Sequence, residues 1–192
     1  MEFPVPSTIV VVGRPRRRRG RADGFALIDV IFVAGMIALL SMIALPRLLM
    51  AQQSAGAASA IGSLRAINSG QLVYALTCAA GFYAPRLTVL GQPPPGSRDP
   101  FVSYNLGYSD TVTRSNYIIQ MSGGSYAGAP AACNGMAAGD GAQAFKSAAD
   151  PAQPGNIRFF GSNANGQIWE HNSTLFAVMP EIGTPAIGAP LK

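Results

Sequence analysis

At 192 residues the chain has room for one ordinary domain plus one membrane element. Charged residues make up only 12% of it, about half the usual share, so the surface is either packed against copies of itself or polar without being charged. Two cysteines and a single histidine leave no recognisable set of zinc ligands, so no metal and no cofactor are expected.

The net charge of +5 is unevenly spread. Through Gly24 there are six arginines (Arg14, Arg16, Arg17, Arg18, Arg19 and Arg21) against Glu2 and Asp23, so 6 − 2 = +4; the rest holds eight Lys/Arg against seven Asp/Glu, so 8 − 7 = +1. A run of arginines can serve as a nucleic-acid patch. Next to an apolar segment it reads instead as a positive-inside signal, with the N-terminus cytoplasmic and the C-terminal part sent outward. Residues 1–24 are read as a basic processing segment outside the fold, because Pro4, Pro6, Gly13 and Pro15 hem in its one β-branched run.

From Phe25 to Leu45 every residue is apolar or small except Asp29 and Ser41. About 20 such residues span a bilayer as a helix. Asp29 is costly there: a carboxylate at the centre of a membrane helix costs about 2.5–3.5 kcal/mol, so its retention calls for a partner. The alternative is that it reaches back to the cytoplasmic interface one turn away. Pro46 removes one helical hydrogen bond, and a kink or a melted turn is expected at residues 42–46 rather than a stop. Arg47 then reaches the outer interface.

The helix is expected to continue to about Leu76. Ala51 to Ala60 favours helix, and Ile61, Leu64, Ile67 or Asn68, Leu72, Ala75 and Leu76 recur at three- and four-residue steps. Gly56, Gly62 and Gly70 each cost about 1 kcal/mol relative to alanine, unless they serve close helix approach in a filament. From Phe25 to Leu76 is 52 residues, about 78 Å. Only half of that fits in lipid, so the remainder must lean on a head domain.

The head is expected over residues 77–180. Gly81 to Pro100 reads as loop, with Pro93-Pro94-Pro95-Gly96 as a hard break. Strands are expected at 117–121, 156–160 and 167–171, and Asn165-Gly166 is a hairpin signal pairing Ile157–Phe160 with Gln167–Glu170. Ser122 to Ala142 reads as irregular and pinned by Cys133. Residues 181–192, rich in Pro and Gly, read as an extended tail. Cys78 and Cys133 lie in the exported part, where a bridge persists and would close a loop of about 55 residues, worth about 4 kcal/mol. Two buried free thiols are the alternative. The resulting fold class is α+β: a long N-terminal helix packed on a small antiparallel sheet.

Enzyme signals are weak, and no enzymatic activity is expected. His171 stands alone beside Glu170 on an expected strand, and no nucleophile elbow or phosphate-binding glycine loop is present. Asp99, Asp110, Asp140 and Asp150 are scattered, without the spacing of a calcium loop. Asn172-Ser173-Thr174 fits a glycosylation sequon, and Tyr104, Tyr108, Tyr117 and Tyr126 are candidates for an aromatic surface, with core and loop packing the competing role.

The basic leader ending in Gly24, then Phe25, Leu27, Ile28, Asp29 and Val30, and the apolar run to Pro46 resemble the type IV pilins and the pseudopilins of type II secretion systems. The likeness extends loosely into Ser59–Asn68 and Gly81–Pro85. It implies cleavage after Gly24 by a prepilin peptidase, N-methylation of Phe25, and pairing of Asp29 with the amine of a neighbouring subunit, which sets axial register. It implies a helix kink at Pro46, which the family carries at the same distance from the cleavage point. This chain departs from the family pattern in two places: Asp29 stands where glutamate is usual, and Ala26 where threonine or serine is usual.

The function implied is a filament subunit of a pilus, or alternatively a secretion pseudopilin. Its partners would be further copies, other pilins, the peptidase, membrane lipid, and an inner-membrane assembly platform with an ATPase motor. It would be a single-pass inner-membrane precursor and then part of a periplasmic or extracellular filament. Nucleic acid is a further partner without support in the residues. A reading from a different class is a membrane-anchored or secreted binding protein with an ordinary signal segment; the run ending at Pro46–Met50 fits a signal-peptidase site poorly.

Overall fold

The computed structural model describes residues 27–191; Gly24, Phe25 and Ala26 lie outside them. Helix α1 occupies Leu27–Thr77 and runs through Pro46, with residues 42–46 helical, so no turn is melted there. By internal contacts the chain divides into residues 1–44 and 45–192, so the second half of α1 belongs to the head.

In the head, α1 buries Gly56, Ala57, Ala60, Ser63, Leu64, Ile67, Gly70, Gln71, Tyr74 and Ala75, a face repeating every three or four residues. Two glycines on that face permit close approach to the head itself. A Cβ at Gly70 would meet the Phe101 carbonyl oxygen at 2.7 Å, and one at Gly56 the Ser115 carbonyl oxygen at 2.9 Å. Close approach at these two positions is therefore made within the chain. Gly62 faces open space.

Two single-turn helices follow, α2 (Leu87–Leu90), inside the Gly81–Pro100 stretch that reads as loop, and α3 (Tyr104–Gly107). Six strands then form one antiparallel sheet in chain order: β1 Thr111–Arg114, β2 Tyr117–Ser122, β3 Lys146–Pro151, β4 Phe159–Asn163, β5 Ile168–His171 and β6 Ala189–Pro190. On β2 the alternate residues Tyr117, Ile119 and Met121 are buried and face α1. Tyr117 also packs against Phe160 of β4, with ring centroids 5.8 Å apart.

The hairpin at Asn165-Gly166 forms, but its first strand lies later than expected. Phe159, Phe160, Gly161 and Ser162 pair with His171, Glu170, Trp169 and Ile168, and Ile157 and Arg158 stay outside the strand. Within β4, Gly161 lets Met179 and Leu175 pack close on the far face of the sheet, where a side chain would collide with them. Three strands went unread. β1 joins β2 through Ser115-Asn116, both left-handed at φ 49° and 65°, the backbone of a two-residue hairpin turn. β3 is Ser/Ala-rich and of low strand propensity; pairing on both sides imposes its conformation. β6 takes the expected extended tail and pairs it with β5, and the Leu191 amide donates to the Ile168 carbonyl at 2.8 Å.

The far face of the sheet is covered by residues 172–183, through the buried side chains Leu175 and Met179. Thr174 Oγ1 fastens this segment by donating to Asp150 Oδ2 at 2.6 Å, while Asp150 Oδ1 is buried without a partner. Burial pushes the Asp150 carboxyl above its ordinary value, and the Thr174 bond only partly opposes this. The folded chain thus holds this proton more tightly than the unfolded chain. Its contribution is greatest below the ordinary carboxylate range and is lost as pH rises through the raised value. Asp150→Asn is expected to be at least as stable as the parent at pH 7, with the difference shrinking at pH 3 in urea unfolding. A variant clearly weaker than the parent at pH 7 would contradict this.

Candidate assembly helix and its head

Residues 27–44 form a helix whose apolar side chains are exposed. This is one helix long and apolar enough to cross a membrane. Its internal polar group is satisfied: Ser41 Oγ donates to the Ile37 carbonyl at 2.8 Å. Asp29 is the one acid in α1. No other acid occurs between Asp29 and Asp99. Leu27, Ile28, Ile31 and Phe32 around it are all exposed among the described residues.

The head holds its half of α1 through buried polar anchors as well as apolar packing. Gln71 is fully buried, and its amide bonds both ways to one backbone residue: Nε2 donates to the Ala84 carbonyl at 2.8 Å, and Oε1 accepts from the Ala84 amide at 2.8 Å. Asn68 Nδ2 donates to Ser162 Oγ at 2.8 Å and so ties the helix to β4. Tyr74 is buried against Phe101, and burial pushes its hydroxyl up to about 12. Just past the helix, Cys78 and Cys133 form a disulfide across 55 residues, worth about 4 kcal/mol on the chain-entropy account. It pins the irregular stretch 122–142 to the helix end, where the Cys133 amide also donates to the Cys78 carbonyl at 3.0 Å. Gln71 and Asn68 were not singled out as anchors from the sequence. Their signal was available: amides standing on the apolar face of the helical repeat.

The remaining candidates are dispersed. His171 Nδ1 contacts Ser173 Oγ at 2.9 Å and meets no carboxylate. Glu170 is held by Arg158, with Nε 2.6 Å from Oε1 and Nη2 3.0 Å from Oε2, and these bonds draw its carboxyl below the usual range. The pair is partly exposed and contributes under about 1 kcal/mol. Asp110 Oδ1 accepts from the Thr88 amide and hydroxyl at the start of α2, a structural role. Among the described residues no three His, Cys, Asp or Glu side chains come together as metal ligands. Tyr117 is buried and Tyr126 stacks on Phe82, so the four tyrosines do not make one surface; Tyr104 and Tyr108 are exposed, 6.4 Å apart. Asn172 is exposed just after β5.

The architecture, a long apolar N-terminal helix whose second half packs on an antiparallel sheet, is compatible with that of the pilins. No protein-family model, no curated protein and no solved structure matches the chain.

Proposed function

We propose that this chain is a structural subunit of a type IV pilus-like filament. It inserts in the inner membrane with its N-terminus cytoplasmic, is cut after Gly24 by a prepilin peptidase, is methylated at Phe25, and polymerises through its N-terminal helix. The observation that carries this reading is the contrast along one helix. Residues 56–75 bury a face on the head, while residues 27–44 expose apolar side chains with a single acid among them. Lipid satisfies the apolar groups but not Asp29, whereas a bundle of like helices satisfies both. The chain performs no chemistry in this role; a partner ATPase at the assembly platform supplies the work.

The test is shearing of cells that express the full chain, followed by electron microscopy and immunolabelling of the released material. Labelled filaments in the sheared fraction are expected. Chain found only as a detergent-soluble monomer in the membrane fraction would overturn the proposal.

A further inference from the structure

Within the whole of α1 the charged residues are Asp29, Arg47 and Arg65. Their spacing is 47 − 29 = 18 and 65 − 47 = 18. Eighteen residues make about five full helical turns and rise about 27 Å. The same interval relates their neighbours at +7 and +11. Asp29 is followed by Met36 and Leu40, Arg47 by Ser54 and Ala58, and Arg65 by Leu72 and Leu76. Each trio lies along one side of its own helical stretch.

In the head this side is free. Arg47, Ser54, Ala58 and Arg65 are all exposed, roughly half a turn away from Gly56, Ser63, Gly70 and Tyr74, which face the sheet. Among the described residues neither arginine makes an ion pair or side-chain hydrogen bond, and the ion pair is Arg158 with Glu170.

On the filament reading, the geometry points to a specific occupant for this side: residues 29–40 of a second copy, lying parallel and displaced by 18 residues. Asp29 of that copy then meets Arg47, Met36 lies over Ser54, and Leu40 lies over Ala58. Among the described residues Asp29 has no cation beside it, and Arg47 of the second copy supplies one in place of the neighbouring amine that the family resemblance implies; large side chains fall on small ones, which lets the two backbones approach. A displacement of 36 residues would bring Asp29 to Arg65 but stack Met36 on Leu72 and Leu40 on Leu76.

The shorter displacement also matches the bilayer. A subunit lifted by about 27 Å has moved Asp29 across most of the roughly 30 Å hydrocarbon core. It arrives level with Arg47 of a copy still anchored, so the carboxylate leaves lipid at the place where a guanidinium awaits it. The like charges Arg47 and Arg65 come level 27 Å further along. Helices crossing at about 20° have separated there by about a further 9 Å.

Disulfide trapping in the full chain tests this, because the native cysteines are both bonded. Met36→Cys with Ser54→Cys is expected to give a ladder of covalent multimers on mild oxidation of sheared filaments. The two sites are about 27 Å apart along one helix and cannot bridge within a copy. Met36→Cys with Leu72→Cys is expected to give none, and a ladder from that pair instead would overturn the 18-residue displacement. No ladder from either pair, with parental filaments intact, overturns the inference and leaves the filament reading standing. Absence of parental filaments overturns both.

Arg47→Ala provides a second reading that needs no introduced cysteine. It is expected to lower filament yield at least tenfold, with Arg47→Lys retaining most of it. Wild-type yield from Arg47→Ala would overturn the pairing.

Discussion

Replacing Asp29 with alanine is expected to abolish filament assembly while leaving the head folded. The two effects separate because Asp29 sits among exposed residues of the helix, away from the buried face that α1 presents to the sheet. Removing the carboxylate makes membrane insertion easier, by less than the about 2.5–3.5 kcal/mol that a charge costs at the centre of a membrane helix. A role as a simple anchor therefore predicts unchanged or improved membrane retention and no further consequence. A role in assembly predicts the opposite. Deleting one member of a charge pair buried between helices strands the other, at about 3–5 kcal/mol per contact, which is more than a hundredfold in association. Chain recovered in the sheared fraction should fall by at least that factor, with the membrane-bound amount unchanged. Asp29→Glu should keep assembly, since glutamate retains the charge on a longer stem. Equal recovery from Asp29→Ala and the parent would remove the acid from the assembly mechanism.

Gln71→Ala is expected to produce the largest loss of stability of any single polar substitution in the head. Its amide is the partner of both the amide and the carbonyl of Ala84, and all of these groups are buried. Alanine leaves the two backbone groups unpaired, at about 1–3 kcal/mol each, and opens a cavity beside Met121, whose sulfur lies 3.1 Å from Nε2. A total of about 2–6 kcal/mol is a large part of the stability of a domain this size. The melting temperature of the head in detergent-solubilised full chain should fall by about 10 °C. Gln71→Glu should also be destabilised, because it keeps the acceptor for the Ala84 amide but loses the donor to the carbonyl. A Gln71→Ala melting temperature within a degree or two of the parent would show that water replaces the amide at no cost.

These two substitutions mark which parts of the molecule were legible in the sequence. The extent of the helix was: the apolar run and an end near Leu76 follow from local pattern, and α1 ends at Thr77. Its buried face was legible only in part, since Leu64, Ile67 and Ala75 are buried as expected while Leu72 and Leu76 are exposed and Gln71 and Tyr74 face the head instead. Tyr117–Ser122 and the Asn165-Gly166 hairpin carried strong local signals, β-branched or aromatic alternation and a residue pair suited to a tight turn. β3 did not, because Lys-Ser-Ala-Ala-Asp-Pro has no strand signal of its own. Two neighbours impose the strand, and its small side chains Ser147, Ala148 and Ala149 are all buried between layers. β1 was missed for a different reason: Thr111-Val112-Thr113 is β-branched, but it is a four-residue edge strand whose turn uses Ser115-Asn116 in place of a glycine.

The glycines of α1 illustrate a different limit. Helical spacing marks Gly56 and Gly70 as sites of close approach but does not say to what, and the answer is the backbone of the chain's own head. For the assembly surface, sequence alone supplied the acid and the apolar run. That Arg47 and Arg65 stand exposed on the side opposite the head required the packing of the helix on the sheet.

The measurement that bears most directly on the filament account is the mass of the N-terminal peptide of the protein taken from its native membrane or sheared surface fraction. The account predicts a peptide that begins at Phe25 and carries one added methyl group. An intact leader through Gly24, or an N-terminus beyond Pro46, would contradict it and leave a membrane-anchored or secreted domain in its place.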